Sequence, residues 1–260
     1  MTIKIDYQKL EKWEKNYLGI ETVEDKGKLF FYLKFLKSKN FQKIKGDIVE
    51  AGVYKGTSLI SCALLLKNQN NLKNRSIWGY DTFEGFPKIS SLDNPNKFND
   101  LFKNNKISKN HYKKILKLRS YHKFFKSKKI SALNISSSNN FENTSLKLLE
   151  KKINFFKISK IVNLIKGDFK NTMKFKKNLP NKISAGIIDC DLYDGYKVSL
   201  DYFWPKLSIN GKLFLDEYYS LKFPGPRFII NSFVKKNKNA KLVKEGITSN
   251  FERWSIKKIY

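Results

Sequence analysis

Cysteine and histidine are scarce in this sequence, which has two residues of each type among 260. Cys62 and Cys190 lie far apart and form no Cys-x-x-Cys motif, so we expect neither a disulfide framework nor a thiolate zinc site. Two histidines are too few for a histidine-rich metal site. We expect His111 and His122 at the surface, because they fall in a polar stretch, and Cys190 in the core.

Long apolar runs are absent as well. No uncharged apolar run reaches about 18 residues, the length that a membrane-spanning helix needs. The N-terminal segment MTIKIDYQKL also lacks the apolar stretch of a secretory signal. We therefore expect no membrane span, no export and a cytoplasmic location. Hydrophobic residues still make up 41% of the chain, which is enough for a substantial core and excludes global disorder.

Arginine is rare although the chain is strongly basic. The sequence has 52 Lys and Arg against 23 Asp and Glu, a formal net charge of +29, but only four of the basic residues are arginines. Recognition of base edges and phosphates relies on the guanidinium fork, so this lysine excess is a poor match to a specific nucleic-acid binder. The excess is typical of the composition that an AT-rich genome encodes. We expect no specific nucleic-acid partner, whereas an acidic substrate is compatible with the charge.

Segments with strand character and segments with helix character alternate along the chain. After two leading helices, at 6–17 and 26–37, the pattern predicts strands at 47–52, 76–81, 161–168, 183–189 and 211–216, and helices at 57–67, 196–207 and 224–236. Two consecutive strands, 240–246 and 251–259, follow at the end. This order predicts an α/β fold with a mostly parallel sheet and a C-terminal antiparallel hairpin.

A long polar stretch interrupts the alternation. Residues 88–160 are rich in Lys, Asn and Ser, with helical patches at 112–118 and 145–153. Such a stretch inside an α/β chain is typical of an insertion or a mobile lid rather than a separate folded domain. We therefore expect one domain over 1–260, with leading helices within 1–45 and the insertion at about 88–160.

Acidic residues follow the predicted strands at the point where each strand ends. They are Glu50, Asp81, Asp168, Asp189 with Asp191, and Asp216 with Glu217. The carboxyl ends of parallel strands meet at one edge of a sheet, which is where open α/β sheets bind ligands. In a chain with only 23 acidic residues, this placement indicates a binding site at that edge.

The first strand ends in a glycine-bearing turn, Glu50-Ala51-Gly52-Val53-Tyr54-Lys55-Gly56. Its two glycines let the backbone approach a ligand, and the helix that follows offers free N–H groups at Thr57 and Ser58. The acid within the motif would repel a pyrophosphate but can bind a ribose hydroxyl or pair with an ammonium. Asp81, at the end of the next strand, is a natural acceptor for the two hydroxyls of a ribose.

Six motifs, in order, resemble the macrocin O-methyltransferase family of sugar methyltransferases, which depend on S-adenosylmethionine and a metal. The motifs are GDIVEAGVYKGTS, WGYDTFEGFP, IKGDF, IIDCDLYDGY, GKLFLDEY and PGPRFIINSF, and the resemblance runs from about Gly46 to Phe233. It implies a class I methyltransferase (Rossmann-like) fold with a seven-stranded sheet, a magnesium ion beside the methyl acceptor, and a homodimer. The implied function is methyl transfer to a sugar hydroxyl, in natural-product or surface-polysaccharide biosynthesis.

The resemblance also implies residue roles. Glu50, Ala51, Gly52, Tyr54, Gly56, Thr57 and Ser58 would surround the methionine part of S-adenosylmethionine, Asp81 would bind its ribose, and Gly167 and Asp168 would lie beside its adenine. Asp189, Asp216 and Glu217 would hold Mg²⁺, and Asp191 would be the general base. Glu217 departs from the family, which has Asp at this position.

Physical chemistry is consistent with these roles. Magnesium prefers oxygen ligands and is commonly held by a few carboxylates, with the remaining positions left to water or substrate. Two vicinal sugar hydroxyls could fill two of those positions. Coordination would lower the pKa of a hydroxyl, and a neighbouring carboxylate could then accept its proton.

Two other classes of protein stay open. Glycosyltransferases that use nucleotide sugars hold a divalent ion with an Asp-x-Asp pair such as Asp189 and Asp191, but they have no need for the glycine turn and Asp81. A basic RNA-binding protein or RNA methyltransferase would instead show arginine-rich patches and a steep salt dependence.

Overall fold

The computed structural model describes residue 7 and residues 9–69, 75–126 and 129–260. Its strands are β1 (Asp47–Ala51), β2 (Ile77–Asp81), β3 (Val162–Lys166), β4 (Ile183–Ile188), β5 (Leu207–Leu215), β6 (Ala240–Thr248) and β7 (Phe251–Lys258). Its helices are α1 (Lys12–Leu18), α2 (Phe30–Lys37), α3 (Lys39–Gln42), α4 (Thr57–Asn68), α5 (Phe98–Lys103), α6 (Lys109–Lys126), α7 (Leu146–Phe155), α8 (Phe169–Thr172), α9 (Tyr193–Lys206) and α10 (Gly225–Lys236).

The strands form one seven-stranded sheet in the order β3-β2-β1-β4-β5-β7-β6. Neighbouring strands from β3 to β5 run parallel, whereas β7 pairs antiparallel with both β5 and β6. The strand order reverses beside β1, because β1 lies between β2 and β4. The predicted parallel sheet with an antiparallel C-terminal hairpin is therefore confirmed.

Helices cover both faces of the sheet, as the nearly continuous apolar character of its central strands requires. Successive residues of β1 point to opposite faces, so Ile48 joins the core beneath α2 and α4 while Val49 joins the core beneath α9. Four successive residues of β1 and all six of β4 are buried. Because β1 and β4 are packed on both faces, they hold the turns that follow them in position.

Backbone hydrogen bonds continue past the ends of the strands and hold neighbouring turns together. Gly52 N donates to Tyr80 O (2.9 Å), Gly167 N donates to Asp81 O (2.9 Å), and Asp189 N donates to Ala51 O (2.8 Å). The turns after β1, β2, β3 and β4 are therefore aligned side by side at one edge of the sheet. This edge is the one that sequence analysis selected for ligand binding.

Several helix boundaries differ from the prediction. The first leading helix begins at Lys12, because Glu11 and Glu14 form a capping box, and it ends at Gly19, which has a left-handed conformation. The predicted start of this helix, Asp6, lies outside the described residues. The helix after β1 begins at Thr57, as predicted, and Gly56 (φ +83°) is its N-cap residue.

The polar stretch 88–160 contains more regular structure than its composition suggests. Its predicted patch at 112–118 is the middle of α6, which has 18 residues, and α5 was not predicted. Phe98, Leu101, Ile107 and Ile115 form a small buried cluster of their own. Because these apolar residues are spread thinly among lysines and asparagines, the periodic signal in the sequence is weak.

Gly52 provides a test of how the strand ends are packed. Its φ is +89°, and a Cβ atom there would lie 2.0 Å from the carbonyl oxygen of Asp189. We expect Gly52→Ala to lower the free energy of unfolding by roughly 2 kcal/mol or more in urea titrations, since backbone strain and a clash add together.

Gly27→Ala is the matched control, because the added Cβ would meet only the Glu21 side chain, which can move. Equal stability of Gly52→Ala and the wild type would contradict the close approach of the two turns.

Candidate functional site

One cavity of about 660 Å³ lies at the carboxyl edge of the sheet. A volume of this size is typical of a small-molecule binding site. The turns that follow β1, β2, β4 and β5 line it, as do α8 and parts of the polar stretch 88–160. Ten of the fourteen predicted site residues line it, namely Gly52, Tyr54, Thr57, Ser58, Asp81, Asp168, Asp189, Asp191, Asp216 and Glu217.

The turn after β1 borders the cavity. The side chain of Glu50, at the end of β1, is buried below this turn and does not line the cavity. Glu50 is 1% exposed, and its Oε1 accepts a 2.5 Å hydrogen bond from Ser58 Oγ in α4. Burial raises the pKa of Glu50 well above its usual range, although the Ser58 bond opposes that shift. Glu50, Ala51, Gly56 and Gly167 are not among the residues that line the cavity. Glu50 therefore positions the start of α4 from below.

Asp81 fixes the conformation of the same turn from the side. Its Oδ2 accepts hydrogen bonds from the backbone N–H groups of Val53 and Tyr54, both at 2.8 Å, and its Oδ1 accepts one from Phe83 N (2.7 Å). Tyr54 has a φ of +51°, an uncommon value for a residue with a side chain. Oδ2 already accepts two hydrogen bonds, but Oδ1 accepts only one, so Asp81 can hold the turn and still accept a hydrogen bond from a hydroxyl in the cavity.

Asp168 lies at the end of β3 and caps α8. Its Oδ1 accepts a hydrogen bond from Lys170 N (2.9 Å), while Lys170 Nζ pairs with Asp194 at 2.8 Å. Asp168 and Asp194 both line the cavity. The predicted site residues at the ends of β1, β2 and β3 thus reach one continuous wall.

Three carboxylates from two strands form a compact cluster on the opposite wall. One oxygen each of Asp189, Asp216 and Glu217 lie within 4.8 Å of one another. Tyr196 OH lies 2.7 Å from Glu217 Oε2 and accepts a hydrogen bond from Glu217 N (3.1 Å), which places Glu217 against α9. The longer side chain of Glu217 therefore still reaches the cluster. Hard oxygen ligands at this spacing suit a divalent cation such as Mg²⁺.

A lysine ammonium bridges this cluster. Lys28 Nζ lies 2.8 Å from Asp189 Oδ2 and 2.8 Å from Asp216 Oδ2. Arg253, on β7, adds a contact of 3.3 Å from Nη1 to Asp216 Oδ1. Lys28 precedes α2 and Arg253 belongs to the C-terminal hairpin, so the two cations come from opposite ends of the chain.

Burial and mutual repulsion set the charge of the cluster. Burial is the largest factor that raises the pKa of Glu217 well above its usual range, and the charges of Asp216 and Asp189 add to it. Burial also opposes ionisation of Asp216, but Lys28 outweighs it and lowers the pKa of Asp216 to about 2. Lys28 keeps its proton, because the two aspartates outweigh its desolvation and raise its pKa. The raised pKa of Glu217 means that, of these three acids, Glu217 is the one whose ionisation its surroundings oppose most clearly.

Asp191 lies in the turn after β4, two residues after Asp189. Its φ of +61° lies in the left-handed region, which is costly for a residue with a side chain. Burial and the neighbouring Asp189 raise the pKa of Asp191 above its usual range. A carboxylate with a raised pKa is a stronger base, which matches the role the resemblance implied.

Cys190 separates the two aspartates. It packs against the core beneath α9, as expected, although it also touches the cavity. Burial raises the pKa of its thiol well above the usual range, so the thiolate is disfavoured and Cys190 is a poor nucleophile.

The expectation that the two histidines lie at the surface is wrong, because both are buried. His111 and His122 are 2% and 7% exposed, and they lie on the face of α6 that packs against the protein. The His111 ring stacks on Tyr219 with centroids 3.9 Å apart, and its Nε2 lies 2.7 Å from Ser220 O. The polar composition of the stretch was misleading, because the many lysines of α6 conceal a buried face that carries both histidines and Ile115.

The polar stretch also closes the cavity above the turn after β1. Thr144 Oγ1 donates to Tyr54 O (2.7 Å), and Tyr54 OH donates to Asn143 Oδ1 (2.6 Å). Ser136, Ser137, Ser138 and Phe141 line the cavity, as do Tyr219 and Phe223, and the Phe86 ring contacts those of Phe141 and Phe223. This wall combines hydroxyl groups with aromatic rings.

Sequence reasoning did not find Lys28 or Arg253. Lys28 has no distinguishing signal among so many lysines. Arg253 is one of only four arginines, and that rarity was the one available signal. Neither residue belongs to a strand-end motif, so only the three-dimensional arrangement connects them to the acids.

Comparison with known proteins agrees with this geometry. Residues 32–122 match the family model of the macrocin-O-methyltransferases (TylF). The resemblance to this family is confirmed. A curated relative, mycinamicin III 3''-O-methyltransferase of Micromonospora griseorubida, is 38% identical over 52 residues. That match covers 20% of this chain and 20% of the relative, so the chain matches only about a fifth of the relative's length.

Two solved structures share the fold. The O-methyltransferase NovP is 18% identical with a TM-score of 0.58, and the similarity covers 88% of this chain and 81% of that one. The calicheamicin methyltransferase CalS11 is also 18% identical with a TM-score of 0.58, over 96% of this chain and 80% of that one. The fold is that of class I methyltransferases, as predicted.

His111 leads to a prediction about stability and pH. Burial lowers the pKa of His111 from 6.5 to about 4, and the nearby Arg227 charge contributes, although the Ser220 carbonyl opposes the shift. Because the folded-state pKa is depressed, the neutral ring stabilises the fold above pH 6.5, and this contribution is lost as pH falls toward 4. We expect a loss on the order of 3 kcal/mol across that window.

The measurement compares the pH dependence of urea unfolding for the wild type and His111→Gln. In the variant, the free energy of unfolding should lack the steepest part of its decline at mildly acidic pH. Burial raises the pKa of Asp93 to about 6, but Asp93 is present in both proteins, so its contribution cancels in the comparison. Parallel stability curves would refute the assignment. Ring proton resonances, assigned with His122→Gln, give the pKa of His111 directly.

Proposed function

We propose that this protein is an O-methyltransferase that uses S-adenosylmethionine to methylate a sugar hydroxyl with the help of a divalent metal ion. The observation that carries the proposal is that one cavity joins the Asp81-anchored glycine turn to the cluster of Asp189, Asp216 and Glu217. The family match and the names of the two solved structures support methyl transfer. The curated relative, named a 3''-O-methyltransferase of mycinamicin III, supports an acceptor of the glycoside class.

The cofactor side of the proposal rests on the wall at β1, β2 and β3. Gly52, Tyr54, Thr57 and Ser58 would contact the methionine part, with Glu50, Ala51 and Gly56 holding that turn in shape. Asp81 would accept the ribose hydroxyls, and Gly167 with Asp168 would border the adenine. The cofactor supplies a methyl group already activated by a positively charged sulfur. The protein then mainly has to position the acceptor and remove its proton.

The metal side rests on the chemistry of the ligands. Asp189, Asp216 and Glu217 offer hard carboxylate oxygens at the spacing that a single cation needs, and the lysine ammonium at the same place indicates that the cluster attracts positive charge. A bound Mg²⁺ would supply a Lewis acid that favours the ionised form of a hydroxyl. The three residues would hold the ion, and Lys28 would have to leave the cluster.

Asp191 is proposed as the general base. Its raised pKa equips it to take the proton of the acceptor hydroxyl at a carboxylate oxygen. Burial in the turn after β4 and the left-handed backbone keep the carboxylate at the cavity wall between the cofactor side and the acid cluster. The serine hydroxyls and aromatic rings of the opposite wall would hold a sugar by hydrogen bonds and stacking.

Further parts of the proposal concern the whole chain. Residues 1–260 would act as one methyltransferase domain in which the stretch 88–160 selects the acceptor, a sugar with vicinal hydroxyls. We also propose a homodimer in the cytoplasm. Within the described residues, no helix is long and apolar enough to cross a bilayer.

The alternative of a nucleotide-sugar glycosyltransferase receives less support. Asp189 and Asp191 form its Asp-x-Asp pair, but the strand order β3-β2-β1-β4-β5-β7-β6 and the Asp81-anchored turn belong to the methyltransferase fold. Binding of radiolabelled S-adenosylmethionine compared with a radiolabelled nucleotide sugar separates the two classes directly.

Calorimetric titration with S-adenosylhomocysteine tests the cofactor side. We expect micromolar-range binding by the wild type and at least about tenfold weaker binding by Asp81→Asn, because loss of the carboxylate charge weakens both the turn and the ribose contacts. Failure of the wild type to bind would remove the methyltransferase proposal.

Asp47→Asn is the matched control for that titration. Asp47 is also a strand aspartate, with hydrogen bonds from Ser76 N and Trp78 Nε1, but it lies at the opposite end of β1. It should leave the affinity unchanged. Normal binding by Asp81→Asn would contradict the ribose assignment alone.

Manganese binding, measured by electron paramagnetic resonance, tests the metal side. Lys28→Gln removes the competing ammonium and should bind Mn²⁺ at least about fivefold more tightly than the wild type, whereas Asp189→Asn should bind it more weakly. Lys34→Gln is the matched control, because Lys34 is exposed on α2 and lies over Phe30, away from the acids. If Lys28→Gln and the wild type both fail to bind Mn²⁺, the metal proposal is wrong.

A further inference from the structure

Helix α6 has one buried face and exposes large apolar side chains elsewhere. His111, Ile115 and His122 are buried against the rest of the protein. Around the rest of the helix four large apolar side chains are exposed, with Phe124 and Phe125 79% and 78% exposed and Tyr121 and Leu116 about half exposed. The methyltransferase site uses none of these four side chains. An ordinary surface helix carries polar residues outside its buried face, so the exposure indicates a binding surface.

The exposed face is also strongly positive. The sequence of α6, KNHYKKILKLRSYHKFFK, contains no acidic residue, and Lys113, Lys117 and Lys123 are exposed on it, whereas Lys126 Nζ donates to Asn134 O (2.9 Å). Lys117 Nζ lies 5.8 Å from the centroid of the Tyr121 ring, and the Phe124 and Phe125 rings meet edge to face at 5.0 Å. Apolar rings and lysines are therefore interleaved over the same surface, called the α6 face below.

The charge of the α6 face argues against a second copy of this chain as its occupant. A symmetric contact would place the lysines of one helix opposite those of its mate with no carboxylate from α6 between them. Like charges at an interface oppose association. The occupant should instead be negatively charged and should accept buried aromatic rings.

We propose that the α6 face docks on an anionic lipid bilayer, with the helix lying in the plane of the membrane surface. Binding to a membrane surface grows with the apolar area that enters the headgroup region and with attraction to anionic lipids, and exposed rings interleaved with lysines offer both. The lysines are attracted by acidic headgroups, and Phe124 and Phe125 enter the headgroup region.

The type of cation and of ring favours lipid over RNA. Lysine is a strongly hydrated point charge, and Arg119, the one arginine of α6, is turned inward and bonded to Pro95 O. Stacking on bases requires ring faces spaced along a strand groove, whereas Phe124 and Phe125 are adjacent and pack against each other. Two adjacent rings of this kind can enter the headgroup region of a bilayer together.

Helix α6 also borders the cavity, so docking on a membrane would affect how a ligand reaches the cavity. Leu118, between the two histidines on α6, lines the cavity. A membrane-bound α6 would therefore bring the cavity close to the lipid surface. The docking proposal does not depend on the reaction proposed above, because it rests on the α6 face alone.

Vesicle co-sedimentation with the full chain tests the proposal. Wild-type protein should bind vesicles of equal parts phosphatidylcholine and phosphatidylglycerol at least about tenfold more tightly than vesicles of phosphatidylcholine alone. The double variant Phe124→Ser and Phe125→Ser should bind the mixed vesicles at least about tenfold more weakly than the wild type.

The matched control is the double variant Phe155→Ser and Phe175→Ser. Phe155 and Phe175 are likewise exposed, and Lys174 lies over the Phe175 ring, but neither is on α6. Its vesicle affinity should equal that of the wild type. Equal binding by wild type and the Phe124, Phe125 variant would show that net charge alone attracts the protein, and would overturn the proposal.

Two further measurements address the other occupants. Binding of polyuridylate without binding of mixed vesicles would overturn the proposal in favour of RNA. Sedimentation velocity without lipid would overturn it in favour of a second copy if the Phe124, Phe125 variant loses a dimer that the wild type forms. A blue-shifted emission of Phe124→Trp, but not of Phe175→Trp, on addition of mixed vesicles would support it.

Discussion

The ion pairs of Lys28 with Asp189 and Asp216 are the interaction on which the site depends. Three carboxylates share a small volume, and their mutual repulsion would open the turns after β4 and β5 if nothing balanced it. The Lys28 ammonium and the Arg253 guanidinium together balance the cluster. Removal of one partner from such a network leaves the others buried without compensation, which costs far more than a surface pair contributes.

The acid cluster and the glycine turn after β1 are connected through their backbones. Asp189 N donates to Ala51 O, and Gly52 allows the two turns to touch. A displacement of the acids would therefore be transmitted to the turn that Asp81 holds on its other side. This backbone connection brings the predicted cofactor residues and the predicted metal residues to one cavity.

The sequence predicted the sheet and most of the site because both follow from local signals. Each of the five parallel strands is a short apolar run with an acid at or just after its end, and the edge at which strands such as β1 and β4 end follows from parallel pairing. Lys28 and Arg253 could not be predicted, because their roles arise from tertiary contacts that no local pattern encodes. The burial of His111 and His122 was predicted wrongly, because composition averages over the two faces of α6 and conceals its periodicity.

Lys28 and Asp189 are 161 residues apart in the chain. Contacts between such distant residues require almost the whole sheet to be in place first, because closing a long loop costs entropy before any contact repays it. The charge-balanced cluster therefore completes late in folding. A chain that has formed only its first strands and helices exposes the acids to water and has no assembled pocket, so ligand recognition and completion of the fold coincide.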